Sequence, residues 1–167
     1  MPKKIVYFLA LLVIPSLAPS QNHKIDSLQK ILVSLKSNEL DYVDALYELG
    51  RQYIGVDNDA SLRYVTKALT LSKEFSDSLR IVKATRHKAQ LFRRAGKIDS
   101  VFFLFNEALS LAKRNGYKEE LKIILNALGV AYLVNGKYDA ALSQLYEVLD
   151  LQEHDKDQFG ISLVLQN

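Results

Sequence analysis

The side chains best able to move protons or hold a metal are three histidines, His23, His87 and His154, and they are far apart in the chain. No two form a His-x-x-x-His pair, and none has carboxylates at metal-ligand spacing. There is no cysteine to serve as nucleophile or ligand. His23 near the N-terminus and His154 in the charged run Glu153–Asp157 read as solvated surface. Carboxylates do occur in pairs: Asp57 with Asp59, Glu119 with Glu120, Asp155 with Asp157. All lie at expected turns or helix starts, where acids complement the positive end of the helix dipole. Gly129 to Lys137 has the glycines and lysine of a phosphate loop, but with six residues between the glycines instead of four. Tyr138 also stands where a serine or threonine would hold magnesium. Chemistry of this kind points away from an enzyme, and no metal or cofactor is expected.

What the spacing does offer is a binding surface. Lys83, Arg86, His87, Gln90, Arg93, Arg94 and Lys97 recur at intervals of three and four, one polar and basic stripe along a helix. Val82, Thr85, Ala89 and Phe92 form the opposite, packing stripe.

The elements that position this stripe repeat. Gly50, Ala89 and Gly129 are 39 and 40 residues apart, and Tyr53, Phe92 and Tyr132 keep the same offsets. Ala68, Ala108 and Val148 follow at 40, each with a leucine after it, and Gly96 and Gly136 are 40 apart, each followed by lysine. Every unit reads as two helices. In the third, Leu125, Leu128, Gly129 and Tyr132 share a face, Asn135-Gly136 ends the helix, and Asp139 begins the next, whose stripe is Ala141, Leu142, Leu145, Val148 and Leu149. A small residue such as Gly129 lets the partner helix approach, Tyr132 fills the angle between helices, and Ala141 and Val148 keep the crossing tight. One pair cannot bury its own apolar face, so pairs must stack into a solenoid.

The string Leu128-Gly129-x-x-Tyr132-x-x-x-Gly136-x-Tyr138-x-x-Ala141, followed by Val148-Leu149, resembles the tetratricopeptide repeat signature. The first repeat carries it as Leu49-Gly50-x-x-Tyr53 and Ala68-Leu69; the second departs, with Lys88 and Ala89 where Leu-Gly stands in the others. The period of 40 exceeds the family's usual ~34, which implies longer helices or longer inter-repeat loops. The resemblance implies an all-α, right-handed helix-pair solenoid of about three complete repeats, near 41–80, 81–118 and 119–155, with a partial fourth at 156–167. Residues 21–40, with Ile25, Leu28, Ile31, Leu32 and Leu35 on one face, are expected to form an N-terminal capping helix. It also implies that the first helix of each pair lines a concave groove that binds peptides. The groove would carry Asp44, Tyr47, Glu48 and Arg51 in the first repeat, the basic stripe in the second, and Ile123, Asn126, Val130 and Leu133 in the third. Basic in the middle and apolar at one end, it would suit an acidic, amphipathic segment of a partner protein.

The first twenty residues stand apart. Met1-Pro2-Lys3-Lys4 is basic, Ile5–Ile14 is apolar, and Pro15–Ser20 is a breaker followed by small residues. This is the pattern of a secretory signal peptide cut after Ser20, and its ten-residue apolar run is half the ~20 residues a membrane span needs. All three prolines lie in this stretch, and so do Lys3 and Lys4, so the net charge of +3 falls by two in the mature chain. Neither nucleic acid nor membrane insertion is therefore expected of the mature segment. Absence of cysteine means an exported fold without disulfides. Together these features resemble the N-terminal periplasmic repeat region of bacterial sensor kinases and regulators; a stand-alone periplasmic adaptor in envelope assembly or secretion is the alternative.

Overall fold

The computed structural model describes residues 19–154, which form seven α-helices and, among the described residues, no strand. They are α1 (Pro19–Ser34), α2 (Leu40–Gln52), α3 (Asn58–Glu74), α4 (Ser78–Arg94), α5 (Ile98–Asn115), α6 (Lys118–Val134) and α7 (Tyr138–His154). Residues 1–18 and 155–167, which hold most of the expected signal peptide and the partial fourth repeat, lie outside the described residues. Helices α2/α3, α4/α5 and α6/α7 are the three expected pairs, with α1 packed on α2 as the cap. The fold is a tetratricopeptide-like helical solenoid. Its pairs begin at residues 40, 78 and 118, so the second starts three residues before the boundary read from the period.

Helix length absorbs the long period. All helices after α2 run 17 or 18 residues, and the turns at 75–77, 95–97, 116–117 and 135–137 are short. Each of these turns closes the preceding helix in the same way. The residue after the helix C-cap adopts a left-handed backbone: Ser76 (φ 55°), Gly96 (φ 70°) and Gly136 (φ 70°), with Gly116 (φ 68°) itself at the C-cap. The next residue then donates its N–H five residues back, as in Lys97 N to Phe92 O, Tyr117 N to Ala112 O, Lys137 N to Tyr132 O and Asp77 N to Ser72 O. Asp57 and Asp77 cap the following helices, accepting from Ala60 N at 2.8 Å and Arg80 N at 2.9 Å.

Small residues sit where the pairs cross. A methyl added at Gly50 would come within 2.5 Å of Val65 Cγ2, and one at Gly129 would meet Leu145 Cδ2 at 3.0 Å. Ala68, Ala89, Ala108, Ala141 and Val148 are all buried. Leu49, Leu128 and Phe105 lie in the centre of the packed layers. The matched aromatics diverge: Tyr53 stacks on Tyr64 inside its own pair, whereas Tyr132 stacks on Phe102 of the preceding pair at 4.6 Å. Tyr138, of the repeat signature, is 64% exposed as the first residue of α7. In α1, Ile25 is buried and Leu32 joins the α2–α3 core, but Ile31 is exposed, because only one edge of the cap faces a neighbour.

Candidate functional site

Three helices meet along one side of the stack. Besides packing within its own pair, α4 touches both α2 and α6, while no comparable contact joins α3 to α5 or α5 to α7. The first helices of the pairs therefore lie on the inside of the bend. Their outward residues form the candidate face, and each has neighbours on three sides.

That crowding changes the basic stripe. His87 is 1% exposed, its ring edge-on to Tyr47 of α2 at 5.6 Å, and its Nε2 has no hydrogen-bond partner. The spacing read it as a groove residue; the packing of α4 against α2 puts it in the core instead. Burial, with the Arg86 and Arg51 charges nearby, pushes its imidazole down to about 4. Arg86 is engaged too. Its Nε donates to Glu120 Oε2 of α6 at 2.9 Å and its Nη2 to the Tyr47 hydroxyl at 3.3 Å. The ion pair is largely buried, with side-chain exposures of 13% for Arg86 and 9% for Glu120. Burial pushes the Tyr47 phenol above its usual pKa; Arg86 pulls it back and Glu120 adds to the rise. Tyr47, Arg86 and Glu120 thus tie together one helix from each of the three pairs.

Glu120 was visible in the sequence only as an acid in the first turn of α6, which it also is. Its neighbour Glu119 is exposed and pairs with Lys122 in the next turn. Arg80 carries no sign of its role in the periodicity either. It bridges Asp44 of α2, at 2.6 and 2.9 Å, and its own cap Asp77 at 2.6 Å. Burial alone would raise the Asp77 carboxyl; hydrogen bonds from the Arg80 N–H and guanidinium outweigh it and hold the carboxyl below the usual range. On α2, Arg51 is paired with Glu48 at 3.0 Å, and Gln52 also donates to Glu48.

What remains open is narrower than the stripe. Lys83 and Gln90 are half-buried on α4, and Arg93 and Arg94 are exposed in its last turn. Among the described residues Lys83, Arg93 and Arg94 make no ion pair. On α6 the same register turns apolar: Ile123 is 42% and Leu133 39% exposed, with Val130 and Asn126 half-buried between them. A crevice of about 10 Å³ between α2 and α4, lined by Asp44, Tyr47, Arg80 and Lys83, has room for one water at most. The apparent phosphate loop is not a loop, since Gly129 lies inside α6. Among the described residues no group of His, Asp or Glu is placed to hold a metal ion, and no helix is long and apolar enough to cross a membrane.

No family model matches this chain, and no curated protein does. Solved structures of similar fold do exist. Aspartyl phosphate phosphatase F from Bacillus subtilis superposes with a TM-score of 0.72 at 14% identity, over 82% of this chain and 39% of that one. The Rap conjugation gene regulator of the plasmid pLS20, in complex with a Phr peptide, gives 0.70 at 22% identity, over 87% and 43%. MamA gives 0.60 at 20% identity, over 81% and 71%. This chain therefore spans about two fifths of the length of the first two.

Proposed function

We propose that this chain is a non-catalytic scaffold that binds a segment of a partner protein along the inner face of α2, α4 and α6. The observation that carries the reading is the exposure of Ile123 and Leu133 on α6, together with an unpaired Lys83 on α4. An amphipathic acidic ligand would cover these two apolar side chains and meet the lysine. A protein of similar fold, the pLS20 Rap regulator, is seen with a peptide bound. The groove of this proposal comprises Tyr47 and Arg51 at one end, Lys83, Gln90, Arg93 and Arg94 in the middle, and Asn126 and Val130 with Ile123 and Leu133 at the other. Arg86 and His87 hold it in shape from beneath.

The test is a selection of displayed peptides on the full chain, followed by affinities for variants. Ile123→Glu with Leu133→Glu is expected to weaken the selected peptides at least about tenfold, the loss of one good apolar contact region. Equal affinity for the variant overturns the reading.

Export to the periplasm, within a protein that senses rather than reacts, is part of the same proposal. It rests on the basic, apolar and small-residue blocks of residues 1–20. Fusion of residues 1–24 to alkaline phosphatase, which is active only outside the cytoplasm, is expected to yield active enzyme. An inactive fusion overturns this part alone.

A further inference from the structure

Helix α7 carries an apolar stripe that its counterparts lack. α3, α5 and α7 begin 40 residues apart, at Asn58, Ile98 and Tyr138, so their positions correspond one to one. Tyr138, Leu142 and Tyr146 stand at i, i+4 and i+8 of α7, on one face about 12 Å long, and each is more than half exposed. Phe103 of α5 is exposed too, but its neighbours one turn away are Asp99 and Glu107. The residues that correspond to the stripe are Ile98, Phe102 and Asn106 in α5, and Asn58, Leu62 and Thr66 in α3. Phe102 is half-buried under the following pair, with Tyr132 of α6 stacked on it at 4.6 Å. The third position behaves differently. Thr66 and Asn106 stay exposed although another pair follows each, and both are polar. Stacking of one repeat on the next thus leaves this position in water, yet α7 places a tyrosine there. Continuation of the solenoid does not account for Tyr146, whereas a partner lying along the stripe does.

The charge beside the stripe is of one sign. α7 has no lysine or arginine. Its Glu147 is taken by Lys113 of α5, but Asp139, Asp150 and Glu153 are exposed and, among the described residues, make no ion pair. We infer that the α7 stripe docks an amphipathic, basic helix of a partner protein. Two turns of apolar side chains on that helix match the length of the stripe, and lysine or arginine beside them meets the three carboxylates. The faces of Tyr138 and Tyr146 also attract cations. This surface does not rest on the groove reading: no groove residue is part of it, and its ligand has the opposite charge.

The experiment uses the full chain and a labelled synthetic helix with leucines on one face, lysines on both flanks and alanine elsewhere, read by fluorescence anisotropy. One control has the same composition with the leucines scattered around the helix; another replaces the lysines with glutamates. Binding of the first peptide is expected, weaker for both controls. Tyr138→Asn with Tyr146→Thr installs the residues of the first pair and is expected to weaken binding at least about tenfold at unchanged melting temperature, since both side chains are exposed. Asp139→Asn with Asp150→Asn is expected to give a smaller loss and a weaker salt dependence. Lys83→Gln, in the groove, is expected to leave binding unchanged. Four outcomes overturn the inference: no binding of the lysine-flanked helix, equal affinity for either control, unchanged binding in the tyrosine double variant, or sedimentation of the full chain as a dimer that this variant turns into a monomer, which would make a second copy the occupant.

Discussion

At the scale of single residues, His87 shows how far a spacing argument reaches. Its place in a row of basic residues was legible, and so was the helix that carries the row. Its burial was not, because α4 lies between α2 and α6 as well as against α5, and only a strip of its surface stays open. The same crowding concealed the partnership of Arg86 with Glu120, which joins residues of different repeats and leaves no local trace in the sequence. The buried imidazole has a consequence for pH. With its pKa lowered to about 4 in the fold against the ordinary 6.5, the folded state stays unprotonated where the unfolded chain takes up a proton. His87 therefore adds nothing to pH dependence above 6.5, and stability falls between about pH 6.5 and 4 by up to roughly 3 kcal/mol before levelling off. Thermal melts across this range are expected to show that fall, and a His87→Phe variant is expected to lose most of it. An equal pH slope in the variant counts against the assignment. The depressed carboxyl of Asp77 has the opposite origin but the same sign: its contribution is present above the ordinary carboxylate pKa and is lost as pH falls below it.

At the scale of elements, the helices and most turns were written plainly. Gly96 and Gly136 mark two helix ends because only glycine enters the left-handed region freely, and Gly50 and Gly129 mark two crossings by what they lack. The end of α3 escaped notice, since Ser76 does the same work with a side chain that carries no such signal. Serine at φ 55° bears a steric cost that glycine avoids. Ser76→Gly is accordingly expected to raise stability by about 0.5–1 kcal/mol, seen as a higher denaturant midpoint at unchanged slope. A midpoint that stays or drops would mean that the Ser76 conformation carries no strain. A period longer than that of the common tetratricopeptide unit left two options open, and the chain lengthens its helices while keeping its turns short.

At the scale of the whole molecule, the pairs are coupled through shared cores. The largest core spans α4 to α7, and smaller clusters join α1, α2, α3 and α4. Across the inner face the Tyr47–Arg86–Glu120 link spans all three pairs. Removing one partner strands the other charge in a mostly buried place, so Arg86→Leu is expected to cost about 3 kcal/mol, whereas Arg86→Leu with Glu120→Leu recovers much of it. Chemical denaturation of the three variants tests this, and a double variant no more stable than the single one would show that the pair is not what the single change disrupts. One more consequence follows from the way each helix packs chiefly on the one before it and the one after it. Contacts so local in sequence cost little loop entropy to close, so such a chain collapses to its native order quickly, on the microsecond-to-millisecond scale of helical bundles. The export proposed here then becomes a race. A chain that must pass a membrane unfolded has little time before its own repeats zip together, and passage must begin while the later pairs are still being made or while another protein holds the earlier ones apart.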